Sequence, residues 1–163
     1  MGLYFAYGAN MDRAHMARTA PTARPLGIAS LADHRISIGK SGYGTVIPTP
    51  GHQVPGFLWH LEAADEAALD AFEGVAEGYY RKDHLQVTDS LGAIHGVMAY
   101  RATDDRAGEA HPDYLAQVVA AARALGFPDD YIREIGRLPT GPATTDRWTP
   151  PAERPTRPKA PAR

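Results

Sequence analysis

An α+β domain built on a mainly non-parallel sheet or a small barrel is the fold class that the sequence predicts. Short runs with strand character recur six or seven times, and four helical segments fall among them without the regular alternation of a parallel α/β fold. The 163 residues, 44% hydrophobic and 22% charged, suit one globular domain with a sizeable core. We expect that domain to occupy residues 1–150, with residues 151–163 as a disordered, proline-rich basic tail.

The elements follow in order. Tyr4-Phe5-Ala6-Tyr7 reads as a buried strand that stops at Gly8, and Asn10 is placed to cap a helix over Met11 to Arg18. Ala20 to Pro25 is turn-rich. Apolar runs at Gly27 to Leu31 and Arg35 to Ile38 give two short strands, and Gly39 to Gly44 breaks the pattern. Thr45 to Pro48 and Val54 to Leu61 give two more, separated by Pro50-Gly51-His52, with Phe57, Trp59 and Leu61 at a period of two. Ala63 to Glu73 carries Ala68, Leu69 and Phe72 at helical spacing and ends at Gly74, the expected stop. Tyr80 to Thr88 and Ile94 to Arg101 flank Asp89-Ser90-Leu91-Gly92 and should form a hairpin. Pro112 to Leu125 opens with proline at its first helical position and presents Leu115, Val118, Val119, Ala122 and Leu125 as one stripe. Pro128 to Ile135 repeats that logic, with Asp129 and Asp130 at its start and Gly136 at its end. Prolines at 139, 142, 150, 151, 155, 158 and 161 leave too few backbone donors for regular structure beyond it.

Charge and composition exclude several function classes. A formal net charge of −2 gives no reason to expect nucleic acid or an anionic membrane as partner. The absence of cysteine removes disulfides, a thiolate nucleophile and cysteine metal sites. Met1-Gly2-Leu3 lacks the basic flank of a signal peptide, and no apolar run approaches the roughly 18 residues that span a bilayer. The expectation is a cytoplasmic protein. Its oligomeric state is open, a homodimer included.

Motif by motif, the choice narrows. Gly39-Lys40-Ser41 resembles the end of a phosphate-binding P-loop, but position 34, where that loop needs glycine, is His. The seven histidines form no His-x-His or His-Glu-x-x-His spacing, so no metal site is expected. No Gly-x-Ser-x-Gly elbow is present. What remains is the turn at Gly8 to Asn10, whose backbone N–H groups would point one way and bind an anion, and Glu73. A carboxylate at the last position of a helix faces the negative end of the macrodipole, and beside Leu69 and Phe72 it borders the buried stripe. Both effects raise a carboxyl pKa and favour a general base near neutral pH. On this argument alone Glu73 is either such a base or an ordinary solvated helix-end acid. Tyr79, Tyr80, Tyr100 and Tyr114 are each either pocket residues or core residues with a wet tip.

Taken together, these segments resemble the γ-glutamylcyclotransferase family. The resemblance rests on Tyr4-Phe5-Ala6-Tyr7-Gly8-Ala9-Asn10-Met11, on Val54-Pro55-Gly56-Phe57-Leu58-Trp59, and on Leu69-Asp70-Ala71-Phe72-Glu73-Gly74-Val75 with Tyr80 seven residues after the glutamate. It extends more loosely through Tyr100 and Tyr114 and covers most of residues 3 to 138. It implies a small, mixed, mainly antiparallel β-barrel with flanking helices. It implies Glu73 as the catalytic acid/base, with Tyr7, Gly8, Ala9 and Asn10 holding the γ-glutamyl group through backbone amides and Tyr80, Tyr100 and Tyr114 lining the pocket. The family pattern has Ser where this chain has Ala9, so the amide remains while the hydroxyl is lost.

The reaction implied converts a γ-glutamyl amino acid, peptide or amine into 5-oxoproline and the free amine. The substrate's own α-amine attacks its γ-carbonyl, so the step needs orientation and proton transfer but no metal or cofactor. The implied partner is a small γ-glutamyl molecule. Two alternatives stand beside it: removal of a γ-glutamyl protecting group from a natural-product intermediate, and non-catalytic binding of a γ-glutamyl metabolite. Retention of Glu73 argues against the last.

Overall fold

The structure, a computed structural model, describes residues 2–142. The expected tail at 151–163 lies outside the described residues. Five strands form a closed barrel in the order β1-β3-β2-β4-β5, where β1 is Gly2–Ala6, β2 Arg24–Ile38, β3 Gly44–Leu61, β4 Tyr80–Asp89 and β5 Ile94–Ala102. Neighbours are antiparallel except β1 and β5, whose parallel pairing through Tyr4 and Met98 closes the ring. Among the described residues four α-helices flank it: α1 (Arg13–Thr19), α2 (Ala63–Glu73), α3 (Pro112–Ala124) and α4 (Asp129–Gly136). This is the α+β, mixed and mainly antiparallel barrel that the sequence predicts. Among the described residues no helix is long and apolar enough to cross a membrane.

The strand count differs from the expected six or seven, because four short runs fuse into two long strands. Gly27 to Leu31 and Arg35 to Ile38 are parts of β2, and Thr45 to Pro48 and Val54 to Leu61 are parts of β3. The apparent breaks face each other across the hairpin. Pairing slips between Ala32 and His34, where Asp33 adopts φ 56°, and the Asp33 carboxylate accepts the Gly51 N–H at 2.9 Å. A bulge therefore absorbs the residues that interrupt both patterns, and the ladder continues on either side.

The first helix also starts later than expected. Asn10 is not its cap: a 3-10 turn at Ala9–Met11 comes first, and the Asp12 carboxylate caps α1 by accepting the N–H groups of Ala14 at 2.9 Å and His15 at 3.4 Å. By contrast α2 runs as the sequence predicts, from a reciprocal Glu62–Asp65 capping box to Gly74 in the left-handed conformation. The hairpin β4–β5 and helices α3 and α4 fall within one residue of their expected bounds.

The core is continuous through the barrel, and β1 runs through the middle of it. Tyr4, Phe5 and Ala6 are all buried, as are Phe57, Leu58, Trp59 and Leu61 on the neighbouring β3, so both faces of that strand are covered rather than one. A fully buried Phe or Leu side chain contributes on the order of 1.5–3 kcal/mol. The close approach of β1 to β3 has a steric requirement at Gly56. A Cβ there would lie 2.5 Å from the Ala6 carbonyl oxygen and 2.5 Å from the Phe5 ring. Gly56→Ala is therefore expected to lower unfolding free energy by about 1–3 kcal/mol, read from urea denaturation; an unchanged midpoint would show that β1 can shift without cost.

Candidate active site

A cavity of about 380 Å³ opens where the ends of several elements meet. Tyr4 comes from β1, and Tyr7, Gly8, Ala9 and Asn10 from the turn that follows it. Phe72 and Glu73 end α2, Tyr80 begins β4, and Tyr100 lies near the end of β5. Tyr43 comes from the β2–β3 connection, Gly44 begins β3, and Tyr114 lies in the first turn of α3. Every site residue that the family resemblance implies borders this one cavity, whereas Tyr79, the other candidate tyrosine, is not part of its lining. Tyr4, Tyr43, His15, Arg18, Phe72, His111, Asp113 and Gln117 border it too and were not singled out. Tyr4 and Phe72 read as core by periodicity, and the others sit on elements that only the tertiary fold brings together.

Glu73 stands at the centre of the hydrogen bonding. Its Oε1 accepts from Asn10 Nδ2 at 2.9 Å, and the same nitrogen donates to the Tyr4 hydroxyl at 2.8 Å. An ionised carboxylate only accepts, so the amide atom facing it must be the nitrogen. Asn10 is itself fixed, because its carbonyl accepts the Trp59 indole N–H at 3.0 Å and its side chain is buried. Burial of the carboxyl raises the Glu73 pKa from 4.5 to about 7, while the hydrogen bond from Asn10 pulls it down. As a residue Glu73 is only partly covered; the carboxyl is the enclosed portion.

The tyrosines differ in where their protons go. Tyr7 donates to the Tyr100 carbonyl, Tyr80 donates to the Gly44 carbonyl at 2.5 Å, and Tyr100 donates to Asp70 Oδ1 at 2.7 Å. Burial, reinforced by neighbouring negative groups, raises all of these phenols well above their usual range, so they remain protonated donors. The Tyr114 hydroxyl accepts the Gly44 N–H at 2.9 Å and lies in a slot between two glycines. A Cβ on Gly8 or on Gly44 would come within 3.0 Å of it. Those glycines make room for the phenol at the cavity wall.

The turn itself has spare donors. Gly8 and Ala9 carbonyls accept from Met11 and Asp12 N–H, but the N–H groups of Gly8, Ala9 and Asn10 have no backbone acceptor among the described residues. They begin a helical turn bordering the cavity, the arrangement that favours an anion.

Known proteins resemble this chain in both sequence and fold. The AIG2-like family pattern matches residues 53–135, just over half the chain. The chain belongs to the AIG2-like family. Among its relatives, the γ-glutamylcyclotransferase of Homo sapiens is 28% identical over 145 residues, covering 82% of this chain and 76% of the human one. That of Bos taurus is 26% identical over 148 residues, covering 83% of this chain and 78% of the bovine one. A solved structure titled γ-glutamyl cyclotransferase superposes with a TM-score of 0.80 at 25% identity, covering 86% of this chain and 89% of that one.

The raised pKa of Glu73 has a thermodynamic consequence for this AIG2-like protein. Between its ordinary 4.5 and about 7 the folded chain keeps a proton that the unfolded chain has released, so stability falls as pH rises through that window. Glu73→Gln removes the group that titrates. The variant should gain about 1–3 kcal/mol on the wild type between pH 5 and pH 8, measured by urea unfolding at both; a constant difference would mean that the carboxyl is solvated.

Proposed function

We propose that this protein is a γ-glutamylcyclotransferase that uses Glu73 as acid/base and releases 5-oxoproline. The observation that carries the reading is a carboxyl group enclosed in a tyrosine-lined cavity, hydrogen-bonded to Asn10 and poised to titrate at about pH 7. The names of its curated relatives support the activity.

The chemistry follows from that carboxyl. A γ-glutamyl substrate arrives with its α-amine protonated. Ionised Glu73 takes a proton from that nitrogen, whose lone pair then attacks the γ-carbon and forms the C–N bond of a five-membered ring. The ring nitrogen, which still carries two hydrogens and a positive charge, gives one up as the old C–N bond breaks. The departing nitrogen takes two protons in all, one from Glu73 and the one the ring nitrogen sheds, and leaves as an ammonium with the carboxylate as it began. Proton count and charge balance without a cofactor. A group with pKa near the working pH is efficient in both directions, and intramolecular attack needs only that the substrate be held folded, which can supply on the order of 7–11 kcal/mol.

Binding falls to the rest of the cavity in this reading. The N–H groups of Gly8, Ala9 and Asn10 take the α-carboxylate, an interaction that needs no side chain at position 9. Ala9 in place of Ser is compatible with that role. The volume of about 380 Å³ is in the range of small-metabolite sites.

The test is 5-oxoproline release from a panel of γ-glutamyl amino acids, peptides and amines. The wild type should turn over at least one, with kcat/KM rising as pH increases through about 7, because the free enzyme must present the carboxylate. Glu73→Gln should lose about 10²–10⁴-fold in kcat. Lactam formation that survives in Glu73→Gln would sink the mechanism, and binding of the panel without lactam formation would favour a non-catalytic role.

A further inference from the structure

Tyr4 differs from the other buried phenols of the cavity in its hydrogen bonding. Tyr7, Tyr80 and Tyr100 each spend their proton on an acceptor within the protein, two on backbone carbonyls and one on Asp70. Tyr4 does not. Its oxygen accepts from Asn10 Nδ2 at 2.8 Å, and its own proton meets no acceptor among the described residues. Yet the residue is 3% exposed and borders the cavity. A buried hydroxyl proton with no acceptor is destabilising, and a bound group that accepts it recovers the loss.

We propose that Tyr4 is a second catalytic residue, whose hydroxyl donates a hydrogen bond to the γ-carbonyl oxygen of the substrate as that oxygen becomes negative. The inference rests on the lactam-forming reading of the site. Its geometry comes from Asn10, because one nitrogen contacts both the Tyr4 oxygen and Glu73 Oε1, at 2.8 and 2.9 Å. Base and donor are thereby held within two hydrogen-bond lengths of each other. Attack at a carbonyl carbon needs such a pair, since the attacked oxygen and the attacking nitrogen sit on the same atom and each requires a partner about 2.6–3.2 Å away.

The step balances without further reagents. As the α-nitrogen bonds to the γ-carbon, the π pair of the C=O bond moves onto oxygen, and Tyr4 stabilises that charge by donating without transferring its proton. The pair returns when the C–N bond to the leaving amine breaks. Transfer of the phenolic proton itself is disfavoured, because burial and the neighbouring Glu73 charge both hold Tyr4 in its protonated form. Asn10 supports the donor as well: a phenol that accepts a hydrogen bond is polarised to give a stronger one.

The role separates cleanly from mere support of Asn10. In Tyr4→Phe the ring keeps its edge-on packing against Tyr100, at 5.5 Å between centroids, so the fold should survive. We expect kcat to fall about 10²–10³-fold with KM within about threefold of wild type, and the acidic limb of the pH profile to stay near 7. Site-specific 3-fluorotyrosine at position 4, which keeps ring and hydroxyl, should restore kcat to within about threefold of wild type. Unchanged kcat in Tyr4→Phe, a displaced acidic limb with full kcat at the new optimum, or no rescue by the fluorinated residue would each overturn the proposal while the reading of the site stood. A wild-type protein that forms no lactam from the panel would overturn both.

Discussion

The hydrogen bond from Asn10 to Glu73 ties the end of the first strand to the end of α2, and the site is organised around it. Asn10 lies in the turn after β1, the strand that closes the barrel through β3 on one side and β5 on the other. Glu73 ends a helix stopped by Gly74. Neither residue could be moved by one position and keep the contact, because a helix end rotates its side chains by about 100° per residue. The left-handed stop at Gly74 and the 3-10 turn before Asp12 thus both set the Asn10–Glu73 contact.

That contact also sets a balance of opposing forces. Enclosure of the carboxyl disfavours its charge, and the Asn10 donor favours it; the first is larger, and the result is a group that titrates at about 7. Removal of the enclosure would leave an ordinary solvated carboxylate, a weak base. A stronger set of donors would hold the charge so firmly that the group could not act as an acid. In the proposed mechanism the cost in stability at neutral pH is what keeps both protonation states of Glu73 within reach. Around it the phenols remain neutral, so the cavity contains donors that carry no charge to compete with the Glu73 carboxyl.

Much of this was legible in the sequence where the information is local. The bounds of α2 follow from acidic residues at its start, leucine and phenylalanine at helical spacing and a glycine stop, and they place Glu73 at a helix end. The β4–β5 hairpin and α3 follow from turn residues and an opening proline. Local signals failed where a long-range partner decides the outcome. Asp33 and Pro50-Gly51-His52 read as breaks because each disrupts its own strand, whereas in the fold they meet at one bulge in a single long hairpin. Asn10 and Asp12 are equally good helix caps by residue type; the 3-10 turn between Gly8 and Asp12 selects the second. The strand pattern marks Tyr4 only as core, because nothing in it distinguishes a phenol with a satisfied proton from one without.

The parallel contact between Tyr4 and Met98 bears on how the chain reaches its final form. The strand made first is locked on one side only by a segment almost a hundred residues later. Tyr114, against Gly8 and Gly44, comes later still. Contacts this distant in sequence slow folding, because a long loop must close before they contribute. During synthesis β1 therefore waits with an unpaired edge until β5 emerges, exposed to whatever else could pair with it. The cavity cannot close before α3 emerges, because Tyr114 and Gln117 form part of its wall.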